Sequence, residues 1–132
     1  MDDQVRSFLE DNHAAIVASL KKDGTPHVAR IAVGLVDGEL WSSGTQDRVR
    51  TGHFRHDPRA TLCVMDRSNQ YRWLGLETTV DILEGPEAVE QNLTLYRVLA
   101  GEPDDVQEYK EAMVKEKRLI YRFNITRAYG SY

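Results

Sequence analysis

Apolar and polar positions along this chain follow two different periods, and the places where the period changes divide it into elements. The first stretch, "DDQVRSFLEDN", sets Val5, Phe8 and Leu9 at helical spacing behind an acidic first turn, with Asn12 placed to stop it, and predicts a short amphipathic helix. In "HAAIVASLKKDGTPHVARIAVGLVDGELWSS", β-rich runs lie on either side of Lys22-Asp23-Gly24-Thr25, and a third follows Val36-Asp37-Gly38-Glu39. Asp-Gly supplies the positive φ angles of tight hairpin turns, so a three-stranded meander is expected here.

The helical period returns in "DRVRTGHFRHD", a charged segment of about three turns that carries Val49 and Phe54. Asp47 is its expected N-cap, and Asp57-Pro58 closes it because the residue before proline is pushed out of the α region. "ATLCVMD" reads as a short buried strand and "YRWLGLETTVDIL" as a longer one, with Val80 and Ile82 alternating against Thr79 and Asp81. Pro86 suits a first helical turn and opens "EAVEQNLTLYRVLAG", where Val89, Leu93, Tyr96 and Leu99 or Ala100 share one face and Gly101 is the C-cap. A further helix, "DDVQEYKEAMVKEK", starts on Asp104 or Asp105 and brings Val106, Tyr109 and Met113 to one side; "RLIYRFNITRAY" is the last strand. Six antiparallel strands and four helices make a mainly β architecture. A small barrel with peripheral helices fits it best, since closure removes the unpaired edges that six strands would otherwise leave.

Length and composition narrow the function classes. The 132 residues are enough for one domain, expected to span 1–132. With 17 Lys and Arg against 21 Asp and Glu, the formal charge is −4, which argues against a surface devoted to nucleic acid. The acidic "GEPDDVQEYKE" argues the same way, and no nucleic-acid partner is expected. Cys63 is the only cysteine, so an intrachain disulfide and a cysteine-rich zinc site are both excluded, and a reducing cytoplasm is the expected location. The N-terminus has no basic segment followed by an apolar run, and no stretch of about eighteen apolar residues occurs, so neither a signal peptide nor a membrane anchor is expected.

Against that acidic background, "TQDRVRTGHFRHDPR" packs four arginines and two histidines against two aspartates. A solvated helix face is one explanation; a site for an anion is the other. Dinucleotide, P-loop, zinc-protease and serine-hydrolase motifs are all missing. His53 and His56 have helical spacing suitable for a metal, but no carboxylate or cysteine completes a shell, and exposed helix histidines are the better reading. Cys63, between Leu62 and Val64, reads as a buried inert thiol. Ser42 and Ser43 have no assignable catalytic partners. Trp41 and Trp73 are core residues or, alternatively, a cofactor wall. Arg48 and Arg50 follow a strand directly, where helix amides and guanidinium groups together favour phosphate.

Three pieces of the chain, "LKKDGTPHVARIAV", "VDGELWSSGTQDRVRTGHFRHDPRATLCV" and "LYRVLAGEPDDVQEYKEAMVKEKRLIYRFNITRAYG", occur in an order that resembles the split β-barrel flavin-binding family related to pyridoxamine 5'-phosphate oxidase. The last piece resembles its branch that uses the deazaflavin coenzyme F420. The resemblance implies a six-stranded split barrel, a homodimer with a cofactor cleft at each end of the subunit interface, and coenzyme F420 or, alternatively, FMN in that cleft. It places Arg48, Val49 and Arg50 at the cofactor phosphate, Ser43, Gly44 and Thr45 on the strand end that lines it, Arg30 and Ile31 on the strand nearest the ring, and Trp73 near an aromatic position by the cofactor. Members often have Arg-Asn-Leu where this chain has Gly52-His53-Phe54, and Glu-Gly-Thr where it has Glu77-Thr78-Thr79. The implied activity is hydride transfer from the reduced cofactor to an electron-poor conjugated small molecule, with no catalytic acid or base from the protein; a non-catalytic cofactor binder is the other reading.

Overall fold

The computed structural model describes residues 1–132. Helix α1 (Asp3–Asp11) begins at Asp2, whose carboxylate accepts the Val5 N–H at 2.8 Å, and stops at Asn12, as the sequence predicts. Seven strands follow in one antiparallel sheet: β1 (Ala14–Leu20), β2 (Pro26–Ala32), β3 (Gly34–Val36), β4 (Glu39–Thr45), β5 (Arg59–Met65), β6 (Trp73–Leu83) and β7 (Arg118–Ser131). Helix α2 (Val49–His56) lies between β4 and β5; α3 (Glu87–Ala100) and α4 (Val106–Lys115) lie between β6 and β7.

The expected six strands are seven because the second run of the meander breaks at Val33. The spatial order is β2-β1-β5-β6-β7-β4-β3, so β2 and β3, consecutive in the chain, occupy opposite edges of the sheet. Only Val33 separates Ala32 from Gly34, and so short a link cannot span a flat sheet. The sheet therefore curls until its edges meet, which is the split barrel. Three bonds fasten this corner: the Val33 N–H donates to the His13 carbonyl at 2.8 Å, the His13 Nδ1 pairs with the Val33 carbonyl at 2.9 Å, and the Ser42 hydroxyl donates across the seam to the Ala32 carbonyl at 2.8 Å. The meander is thus two hairpins, β1–β2 and β3–β4, on opposite edges.

Alternate residues of every long strand point into the barrel, where Val17, Leu62, Leu76, Leu119 and Tyr121 meet. Helix α1 adds Val5, Phe8 and Leu9 to this interior, and α2 adds Phe54, which sets its ring edge-on to Tyr121 at 5.1 Å. A bulge between Glu77 and Thr78 shifts the β6–β7 register and bends the two longest strands around the barrel. Helix α3 packs outside β3, β4 and β7, where Leu95 meets Val36, Trp41 and Ile120. Its buried face runs through Ala88, Asn92, Leu93 and Leu95; Val89 and Tyr96, expected there, are only half-buried, and Tyr96 meets Tyr109 of α4 instead. Gly34 permits the close approach, since a Cβ there would lie 3.2 Å from the side chains of Leu95, Val98 and Leu99.

Helices α1 to α4 leave the outer face of β2, β1, β5 and β6 without a covering element. One cross-strand row on that face runs Arg30, Ile16, Cys63, Gly75, Tyr129. Val28 is 64% exposed and Trp73 37% exposed on the same side.

Candidate functional site

The segment from Thr45 to Thr51 is held by its own backbone. The amide of Arg48 donates to the Thr45 carbonyl at 3.3 Å, the Thr51 amide to the Arg48 carbonyl at 3.1 Å, and the Thr51 hydroxyl to the Thr45 carbonyl at 2.7 Å. Asp47 does not cap α2, contrary to expectation. Its carboxylate accepts the Thr45 hydroxyl at 2.7 Å, which holds its pKa below the usual range, and the N-cap is Arg48, with no side-chain bond. The helix is accordingly eight residues long, shorter than the three turns expected. Its first turn has neither an acidic residue nor a side-chain cap, so its amide end keeps an unneutralised positive dipole.

The four arginines of the basic segment separate into two kinds. Arg55 is paired with Glu84 at 2.9 Å and Arg59 with Asp57 at 2.8 Å, and the latter pairing holds Asp57 down to about 2. Arg48 and Arg50 pair with no carboxylate. Arg50 is half-buried, its guanidinium 5.6 Å from the centre of the Tyr121 ring, and its Nε is buried without a hydrogen-bond partner. Burial lowers its pKa; the Tyr121 phenol opposes this by charge interaction, and neighbouring Arg48 and Arg118 add to it. Arg118 itself is satisfied by Glu116 at 2.7 Å. A desolvated guanidinium with an orphaned donor, beside a second unpaired arginine at a bare helix start, fits an anion such as a phosphate.

Gly44 owes its identity to the same arrangement. A Cβ at Gly44 would fall 2.4 Å from the Tyr121 ring, so the glycine seats the ring that carries Arg50. The Tyr121 hydroxyl pairs with the Thr51 hydroxyl, fixing the helix to β7. Phe54 and Thr51 face inward and are buried, whereas Val49 is 65% exposed.

Other predicted site residues are placed elsewhere. Ser43 faces α3, where its hydroxyl bonds the Asn92 side chain, so it lies on the opposite side of β4 from Gly44 and Tyr121. Ile31 is buried in the barrel, while Arg30, its neighbour on β2, is exposed on the uncovered outer face. Trp73 is also on that face, edge-on to Tyr129 at 5.9 Å. A single chain therefore brings together Gly44, Thr45, Arg48 and Arg50, but does not bring Arg30 or Trp73 to them. His53 and His56 do not form a metal shell; no group of three or more His, Cys, Asp or Glu side chains is placed to hold a metal ion. The Nδ1 of His53 instead pairs with the Ser19 hydroxyl at 2.7 Å. Neither Tyr121 nor Ser19 carries a local sequence signal for its role, because each acts through a contact more than thirty residues away.

A family profile described as pyridoxamine 5'-phosphate oxidase matches residues 1–132. The chain belongs to the pyridoxamine 5'-phosphate oxidase family. The chain is 25% identical to an F420H2-dependent biliverdin reductase of Mycobacterium tuberculosis, over 99% of this chain and 88% of that protein. Its fold matches that of a solved F420 reductase with a TM-score of 0.77 at 23% identity, covering 98% of both chains. It also matches a conserved hypothetical protein of Mycobacterium tuberculosis with a TM-score of 0.82 at 22% identity, covering 97% of this chain and 82% of the other. No helix of this family member is long and apolar enough to cross a membrane.

Proposed function

We propose that this protein is an oxidoreductase that binds coenzyme F420 and uses its reduced form to reduce an electron-poor conjugated small molecule in the cytoplasm. The observation that carries the reading is the unpaired Arg48 and half-buried Arg50, whose Nε has no partner, within a fold whose relatives include an F420H2-dependent biliverdin reductase. When bound, the reduced deazaflavin supplies the hydride. Arg48 and Arg50 would hold its phosphate; Gly44, through Tyr121, would keep Arg50 in place; Val49 and Thr45 would border the same anion. The protein's part is to hold donor and acceptor in near-attack geometry and to exclude water.

The reading includes a homodimer. Arg30 and Trp73 lie on an uncovered sheet face that also exposes Val28, and a second copy seated there would bury that apolar surface and bring these residues into a shared cleft. Sedimentation equilibrium at micromolar concentration is expected to give a dimer; a single 15.1 kDa species would overturn this part.

The deciding experiment titrates the protein with F420 and with FMN side by side. Tighter F420 binding is expected, and Arg48→Ala or Arg50→Ala should each weaken it by roughly ten- to a hundredfold, the loss of one charge-assisted hydrogen bond. FMN binding tenfold tighter or more would make the protein a flavin enzyme of the same family. Tight binding with no turnover over a broad acceptor panel would make it a cofactor carrier.

A further inference from the structure

On the face of α2 turned toward the β1–β2 hairpin lies a cavity of about 330 Å³, lined by Leu20, Lys21, Lys22, Gly52, His53 and His56. No carboxylate lines it. The acidic groups near it lie outside the wall: Asp23 accepts the Thr25 amide at 3.0 Å, Asp57 is paired with Arg59, and Glu84 with Arg55. Two lysines and two imidazoles thus line one space with no carboxylate in its wall, although Asp23 acts on Lys21 and Asp57 on His56 from outside it. Gly52 leaves room in it, since a Cβ there would meet nothing within 4 Å.

His53 is the group in this space whose charge depends on what fills it. Its Nδ1 is bonded to the Ser19 hydroxyl at 2.7 Å, and Ser19 is buried, so the ring is fixed and Nε2 is the atom left for a ligand. Behind it, His27 stands edge-on at 5.2 Å, with a buried Nδ1 that has no hydrogen-bond partner. Burial, then the neighbouring His27 and Lys21, push the His53 pKa down. The charges around the cavity are His56 at the end of α2, with Asp57 beyond it, and Lys21, Lys22, Asp23 and His27 from the hairpin. An anion placed among them reverses the sign of the local field and favours the imidazolium.

We propose that this cavity is an oxyanion-binding site in which His53 takes up a proton as the anion binds, so that affinity falls as pH rises through neutrality. The ligand class is a carboxylate or phosphate oxyanion, whether free or part of a larger molecule. Between the depressed pKa of the empty site and the raised pKa of the filled one, each bound anion brings one proton. Affinity then changes by up to tenfold per pH unit within that window and is flat outside it.

The test uses the full chain without any cofactor, so its outcome is separate from that of the F420 titration. Sodium sulfate, a dianion throughout, is titrated at constant ionic strength at about pH 6 and about pH 8, reading the His53 and His56 Cε1 protons by NMR. Saturable shifts are expected, with binding at least about tenfold tighter at the lower pH. His53→Gln should bind with the same weak affinity at both values. Gly52→Leu keeps every charge but fills the cavity, and should abolish binding while the Ser19–His53 bond persists. Lys21→Ala with Lys22→Ala should weaken binding at both pH values. The Arg48→Ala, Arg50→Ala double variant should keep the His53 response, separating this cavity from the arginine pair. Glutarate in place of sulfate distinguishes the two sources: tighter glutarate binding indicates a carboxylate ligand, and tighter sulfate binding a phosphate. Lack of saturation at either pH, equal affinity at both, or wild-type binding by Gly52→Leu would overturn the proposal.

Discussion

Two tyrosines of β7 each lie on a glycine of a neighbouring strand, yet the two seats have different consequences. A Cβ at Gly44 on β4 would come within 2.4 Å of the Tyr121 ring, and one at Gly75 on β6 within 2.6 Å of the Tyr129 ring. Locally the device is the same, an aromatic ring covering a strand position that has no side chain. Tyr121, however, is completely buried in the barrel, where it packs on Phe54, pairs with Thr51 and supports Arg50. Tyr129 is only partly covered, on the outer face, with Trp73 and Arg127 against it. The interior seat fixes α2, and with it the cation site, whereas the outer seat shapes a surface left uncovered. Equal local geometry thus carries unequal weight, and burial makes the difference.

Substituting the glycines tests this most strongly. Gly44→Ala forces a methyl into a ring that has no free space to enter, and should cost about 3 kcal/mol, the upper end for overpacking, with α2 loosened as well. Gly75→Ala should cost about 1 kcal/mol, because Tyr129 can swing outward. Urea denaturation measures both, and equal losses would show that burial is not what separates the seats. Removing the hydroxyls sharpens the contrast. Tyr121→Phe should destabilise by about 1 kcal/mol, since it deletes a buried partner of Thr51 while Thr51 keeps the Thr45 carbonyl. Tyr129→Phe should change stability hardly at all.

Acidification probes the other side of α2. The folded-state pKa of His53 lies below its ordinary value of 6.5, so the unfolded chain binds more protons between the two values. This residue's contribution is therefore fully present above about pH 6.5 and is lost as pH falls toward the depressed value. Thermal melts should show a fall in Tm over that acid range that His53→Gln lessens; identical profiles for the two proteins would contradict it. The smallest effect is expected from Arg55→Ala, which breaks only the exposed pair with Glu84 and should cost a few tenths of a kcal/mol. A loss comparable to that of Gly44→Ala would mean that the paired arginines matter to the fold as much as the interior seat does.

What the amino-acid sequence determined by itself is local. Asp37 at φ +50° and Gly38 at +80° adopt the positive angles that Asp-Gly favours, and Gly101 at +84° ends α3 where its position predicts. The apolar spacing of Val5, Phe8 and Leu9 is enough to orient α1, because all three are read within two turns. The basic segment and its order among the family's pieces were equally legible. Only the tertiary structure decided which arginines in that segment are free, because Glu84, which occupies Arg55, is 29 residues away and reaches it through barrel closure. Closure likewise split the second strand at Val33 and turned Ser43 toward Asn92, 49 residues on. It also brought Ser19 to His53 across 34 residues. Backbone angles and periodicity depend on a few contiguous residues and survive in the sequence, whereas a side chain's partner depends on where the curled sheet places residues distant in the chain, which no local pattern encodes.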